Sequence, residues 1–227
     1  FLTGSNRVGG LVRAAYASAD NEFAETAILA GRSGDLSAMV AYTRRDWNEL
    51  DNRGTNPGTV TTTGTSGLVP GTGPARTEPN PQNGWSNAAL GRLVWDNGSG
   101  HRIRLTGEYL DTHLFTDGRV GMTATRNALG AITSSVDLLQ ATDTGDRWRG
   151  ALDWTWQGEG AIDYARLAVY VQNATDEQYT REDRTPAADR TRRNTFDNRV
   201  WGVSGEARSE FSTGALAHRI VFGGEAS

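Results

Sequence analysis

The chain has 227 residues, 23 basic and 27 acidic, with a formal net charge of −4, a mean hydropathy of −0.54 and no cysteine. The lack of cysteine excludes disulfides, thiolate metal sites and a thiol nucleophile, and the mild acidity speaks against nucleic-acid binding, which needs a clustered positive field. No run approaches the roughly 18 apolar residues of a membrane-spanning helix, but hydropathy is blind to membrane β-strands, which show lipid only alternate residues.

In chain order, segments 7–19, 23–32, 36–48 and 85–95 are rich in Val, Leu, Ala, Tyr and Thr without a sustained helical period, which predicts strands. HRIRLTGEY (101–109) alternates strictly: Ile103, Leu105, Gly107 and Tyr109 oppose Arg102, Arg104, Thr106 and Glu108. DRWRGALDWTW (146–156) sets Trp148, Leu152, Trp154 and Trp156 against Arg147, Arg149, Asp153 and Thr155. Segment 161–175 follows, then RVWGVSGEARSEF (199–211), where Trp201, Val203 and Phe211 oppose Glu206 and Arg208, and finally 215–225. The sequence therefore predicts roughly nine strands and no helix, many of them longer than the usual 5–6 residues.

The connections fall into two classes that take turns. SGD (33–35), NGSG (97–100), QGEG (157–160) and STG (212–214) carry the residues of tight hairpins, whereas 49–84, 114–145 and 180–197 read as long loops and hold all six prolines. An up-and-down meander puts alternate connections at opposite ends, so one rim has tight turns and the other large loops. The fold class expected is all-β: an antiparallel meander forming part of a transmembrane outer-membrane barrel, incomplete, with a soluble β-sandwich as the competing arrangement.

The blocks GGLVRAAYASADNEFAETAILAGRSGDLSAMVAYTRRD, LGRLVWDNGSGHRIRLTGEYLDT and REDRTPAADRTRRNTFDNRVWGVSGEARSEFSTGALAHRIVFGGEAS, in this order, resemble the front of the barrel in TonB-dependent outer-membrane receptors, most closely the haemoglobin, transferrin and lactoferrin branch. The resemblance implies a plugged barrel of about 22 strands in a Gram-negative outer membrane that imports an iron-bearing ligand, haem or a ferric siderophore. Its implied partners are outer-membrane lipid, the receptor's own plug and the inner-membrane protein TonB. Residues 1–227 are then expected to be a partial barrel domain without plug or C-terminal strands, and no signal peptide is expected in the opening FLTGSNRVGG. The histidine-bearing boxes of the family's haem readers are not matched, and NPQN (80–83) is only superficially similar to one of them. No ligand residue is carried over, and no intrinsic cofactor is expected.

In the barrel reading Trp95, Tyr109, Trp148, Trp154, Trp156, Trp201 and Phe222 face outward. Arg104, Glu108, Arg147, Arg149, Asp153, Arg166, Glu206 and Arg208 face the lumen, or else form a solvated face knitted by ion pairs. The dense charge cluster TREDRTPAADRTRRNTFDNR would crown the loop rim. Its Arg181, Arg184, Arg190, Arg192 and Arg193 are candidates for catching an anionic ligand, or for pairing with their own Glu182 and Asp183. The histidines His101, His113 and His218 are scattered, GTGPAR (71–76) lacks the rest of a phosphate loop, and WGVSGEA misses the nucleophile-elbow spacing. Neither a catalytic nor a metal site is expected. The competing functions are a passive porin-like or structural barrel and a soluble all-β binding module.

Overall fold

The computed structural model describes residues 7–52, 54, 60–63, 71–72 and 78–227. They form strands β1 (Val8–Ala17), β2 (Glu22–Ser33), β3 (Leu36–Asn48), β4 (Val60–Thr63), β5 (Gly71–Thr72), β6 (Gln82–Asp96), β7 (His101–Asp117), β8 (Thr123–Arg126), β9 (Ile132–Gln157), β10 (Tyr164–Thr185), β11 (Arg190–Thr213) and β12 (Leu216–Ala226). A 3-10 turn at Arg119–Gly121 is the only helical element among the described residues.

Nine strands run as an antiparallel meander in the order β1-β2-β3-β6-β7-β9-β10-β11-β12, and β1 and β12 are its open edges. The short β4, β5 and β8 sit off this path, β4 pairing in parallel with β8. All-β architecture, antiparallel order and strand number agree with the sequence reading, as does the alternation of connections. At one end lie the tight turns after β2, β6, β9 and β11, where Gly34, Gly98 and Gly214 take positive φ that a side chain resists. The opposite end carries the links 18–21, 49–81, 118–131 and 186–189.

Two of the expected long loops are mostly strand. The 180–197 connection shrinks to 186–189 because β10 and β11 stay in register from Tyr164↔Arg208 to Glu182↔Arg190, and 114–145 shrinks to 118–131. The 49–84 stretch retains β4 and β5, and much of it lies outside the described residues. The cause of the misreading is chemical. Beyond Thr175 the alternating residues are polar on both faces, so no hydrophobic period marks the strand, yet cross-strand pairs such as Arg190 on Glu182 (2.6 Å) and Thr185 on Asp137 (2.7 Å) hold the ribbon.

The sheet is a single layer. Ala30 is the only buried hydrophobic residue and Thr106 the only buried polar side chain of note, at 6% and 7% exposure, among the described residues. A soluble domain of this size stacks at least two layers and fills the space between them with apolar side chains. Among the described residues there is no second layer, and large apolar side chains from Val8 to Phe222 stand exposed.

Candidate functional site: two faces and a rim cleft

Register converts strand parity into surfaces. Pairing places Gly31, Ala38, Leu93, Leu105, Leu152, Val169, Val203 and Ala226 in one row across eight strands. The next row toward the tight turns holds Leu36, Trp95, Ile103, Trp154 and Leu167, and the one after it His101, Trp156, Ala165, Ala207 and Phe222. On the loop side come Val40, Gly91, Gly107, Gly150, Val171 and Trp201, then the marginal row Ala27, Tyr42, Ala89, Tyr109 and Trp148, which runs on to Asn173 and Arg199 on β10 and β11. One face is thus a continuous apolar band ending in aromatics at both margins, and all seven aromatics expected to share a face do so.

The band stops abruptly. Its next row reads Glu25, Arg44, Asn87, Asp111, Asp146, Thr175, Asp197. Exposed large hydrophobics of the other parity are few: Leu11 and Val221 on the two edge strands, and Phe196 in the overhang of β11. Charge is therefore sorted by face within the band and by height along the strands.

The opposite face carries the eight residues singled out for it, and six of them are joined in ion pairs. Asp153 accepts from Arg104 (3.1 Å) on one side and Arg166 (3.0 Å) on the other, its side chain only 13% exposed between them. Glu108 pairs with Arg149 (3.5 Å), whose guanidinium lies 5.3 Å from the Tyr170 ring centre. Arg208 reaches Asp163 (2.8 Å) and Glu210, which also binds Arg219 (2.6 Å). Arg147 and Glu206 share the face without an ion pair among the described residues.

The arginine crown is largely spent on itself. Arg181 binds Asp183 (3.0 Å), Arg190 binds Glu182 (2.6 Å), Arg193 binds Glu177 (3.4 Å), and Arg184 donates to the Ala188 carbonyl. The hydrogen bond from Arg190 holds the Glu182 carboxyl below its ordinary range, and that to Asp183 raises Arg181. Arg181 and Arg190 thus follow the self-paired alternative and Arg193 turns to Glu177, while Arg184 and Arg192 make no ion pair among the described residues. The three histidines stack on different aromatics: His101 on Trp154, His113 on Trp85 and His218 on Phe211. Among the described residues no group of three or more His, Asp and Glu is placed to hold a metal ion.

One concavity escaped the sequence reading. A cleft of about 520 Å³ lies on the polar face at the loop end, lined by Trp47, Thr112, Asp143, Asp176 and Phe196 among others. It spans two register rows, Trp47-Gly84-Leu114-Asp143-Gln178-Asn194 and Thr112-Gly145-Asp176-Phe196. Gly145 lies in its floor, with Asp176 Oδ1 and Thr112 Oγ1 2.7 and 3.0 Å from the place of its Cβ, and at the margin the Trp47 indole lies where a Gly84 side chain would stand. Its residues are distributed over five strands, so no linear motif marks it. The sequence signal, had register been known, is a Trp and a Phe at the ends of rows otherwise made of Gly, Leu, Asp, Thr and amides.

Compared with models of known protein families and with curated proteins, the chain matches none.

Proposed function

We propose that this chain is part of an outer-membrane β-barrel of a Gram-negative bacterium, the barrel of a TonB-dependent receptor that imports an iron-bearing ligand, either haem or a ferric siderophore. The observation that carries the membrane part is the apolar face of a sheet without a core. An exposed apolar surface this large needs a cover, and lipid is the cover that requires no second protein layer. From Trp148 to Trp156 the band spans about 27 Å of strand, which a tilt of about 40° turns into a little over 20 Å, near the height of the apolar belt of such barrels. Aromatics at both margins fit the two lipid–water interfaces.

In this reading the ion-paired face is the lumen wall, packed against a plug, and the charged ribbon of β9, β10 and β11 stands outside the cell. Further strands would join β1 and β12, since an open sheet exposes two unpaired edges. The receptor class, TonB coupling and iron cargo are supported by the sequence resemblance of the strand-and-turn blocks. Transport is by capture and passage, and the chain's own residues are assigned no covalent chemistry.

Two experiments test the proposal at its two levels. Purified protein should require detergent, and should enter vesicles with β-sheet circular dichroism retained; a water-soluble folded monomer contradicts the membrane part. In cells carrying the complete gene, iron uptake should cease when the inner-membrane energy source is dissipated. Solute flux that continues unenergised through reconstituted vesicles would instead assign a passive porin.

A further inference from the structure

We infer that the side of β1, β2, β3 and β6 opposite the apolar band is a docking surface for packed protein, one that presents an apolar centre bordered by carboxylates. The inference rests on the proposed reading only in placing that partner inside the lumen. It goes further in confining the contact to one half of the wall, with the ion-paired half of β7, β9 and β10 left to water.

The strands of this half are apolar on both faces. On the parity of the ion pairs, the rows Ala30-Met39 and Leu11-Ile28-Ala41-Leu90 run side by side across β1 to β6. Ala30 is the one buried hydrophobic residue among the described residues, and Ile28, Met39 and Ala41 are half-buried where their neighbours Leu29 and Val40 of the apolar band stand exposed. Strands that are apolar on both faces are those covered on both faces. The next strands differ: beyond Leu90 the row continues into Glu108 and Arg149, which pair with each other, and the strict alternation of apolar and charged faces begins there. A water-filled lumen asks for a polar face on every strand, and β1 to β3 lack one.

The border selects the partner. Arg13 and Arg147 end the row Arg13-Thr26-Thr43-Ala88-Leu110-Arg147, while Arg45 lies on its loop side and Arg92 on its turn side. All four are exposed and make no ion pair among the described residues, whereas Arg104, Arg149, Arg166 and Arg208 on the same face each hold a carboxylate. Among the described residues Glu22 is the only carboxylate of this parity on β1, β2 and β3, and it pairs with none of the four. A guanidinium covered without a partner is costly, so what covers the patch must bring carboxylates to its edge. With strands about 4.8 Å apart and about 3.4 Å per residue, Arg13 and Arg147 are about 24 Å apart and Arg45 and Arg92 about 20 Å, too far for one small anion to meet all four. An apolar centre with arginines at its margin is the anatomy of a protein interface.

The test uses single nitroxide labels in the complete gene product in phospholipid vesicles, with collisions read against oxygen and a water-soluble nickel chelate. Labels at Ile28, Met39, Ala41 and Leu90 should be poorly accessible to both, the mark of packed protein. Leu29 and Val40 should favour oxygen, and Gln172 on the ion-paired half should admit nickel at least fivefold more than Met39. Arg13→Glu combined with Arg45→Glu should raise nickel access at Met39 at least threefold, with β-sheet circular dichroism and the oxygen preference at Val40 unchanged, and the corresponding Lys variants should not. Nickel access at Met39 equal to that at Gln172, an oxygen preference at Met39, or protection indifferent to charge reversal would each overturn the inference. Failure of the membrane reading shows elsewhere: nickel in place of oxygen at Val40, with Met39 still protected from both, would end that reading and leave the docking surface standing.

Discussion

Leu152 and Gln172 lie on neighbouring strands of the same sheet and answer to opposite environments. Leu152 belongs to the row Leu93-Leu105-Leu152-Val169-Val203, where no neighbour carries charge. Gln172 pairs with Arg149, which in turn faces Glu108. With almost no interior among the described residues, the difference between the two faces is not that of core and surface. In the proposed reading it is the difference between two external media, which would account for an alternation that persists across the meander although almost nothing among the described residues is buried.

The largest expected effect breaks that comparison directly. Leu152→Arg should destabilise the protein in phospholipid vesicles by about 2–4 kcal/mol, the cost of a cation near the bilayer midplane, whereas Gln172→Arg should stay within about 0.5 kcal/mol. Reversible denaturant titration in vesicles measures both. Equal effects would mean that the two faces meet the same medium.

A smaller effect tests whether the polar face is a network or a set of independent surface charges. Asp153 is shared by Arg104 and Arg166, so Asp153→Asn should cost about 1–2 kcal/mol, between an exposed pair and a buried one. Adding Arg104→Gln and Arg166→Gln should recover part of that loss, because the unpaired guanidinium groups disappear with it. Additive losses across the triple variant would reduce the network to three unrelated charges.

The smallest effect belongs to the ribbon above the band, where both faces are solvated. Glu182 and Arg190 pair across the tip at 2.6 Å, with Arg190 well exposed, so a double-mutant cycle with Glu182→Gln and Arg190→Gln should give a coupling of at most about 1 kcal/mol at pH 7. Since the pair lowers the Glu182 carboxyl from its ordinary 4.5, its contribution is complete above that pH and fades as acid protonates the carboxylate through the lowered value. The same cycle at pH 2 should therefore give a coupling near zero. A coupling unchanged in acid would show that packing, not charge, holds the tip.

The sequence disclosed some of this plainly and hid the rest for physical reasons. Period two in HRIRLTGEY and DRWRGALDWTW is legible because one face is apolar, and the sheet pairs those two strands with Leu105 opposite Leu152 and Arg104 opposite Asp153. The ribbon was hidden because TREDRTPAADRTRR is polar on both parities, which by composition reads as loop, although its backbone groups are satisfied by the ladder from Tyr179↔Arg193 to Glu182↔Arg190. The crown arginines lie on β10 and β11 rather than in a loop, and their partners required geometry. Arg193 meets Glu177, sixteen positions away, while the adjacent-looking Glu182 goes to Arg190. The cleft was least accessible, since its two rows run across the strands, one from Trp47 to Asn194 and the other from Thr112 through Gly145 to Phe196. Gly145 reads in one dimension as a weak spot in a strand, and only pairing shows that Asp176 and Thr112 close over it.

The central claim is that the apolar face meets lipid, and the absence of native cysteine makes one measurement especially direct. Single cysteines placed in turn from Ile103 to Tyr109 and from Leu167 to Gln172, spin-labelled in vesicles, report access of oxygen and of a water-soluble nickel chelate at every position. Oxygen access should peak at 103, 105, 107 and 109 and at 167, 169 and 171, with the residues between them shielded from oxygen. Collisions that show no period of two, or nickel access that peaks at Leu105 and Val169, would contradict the account.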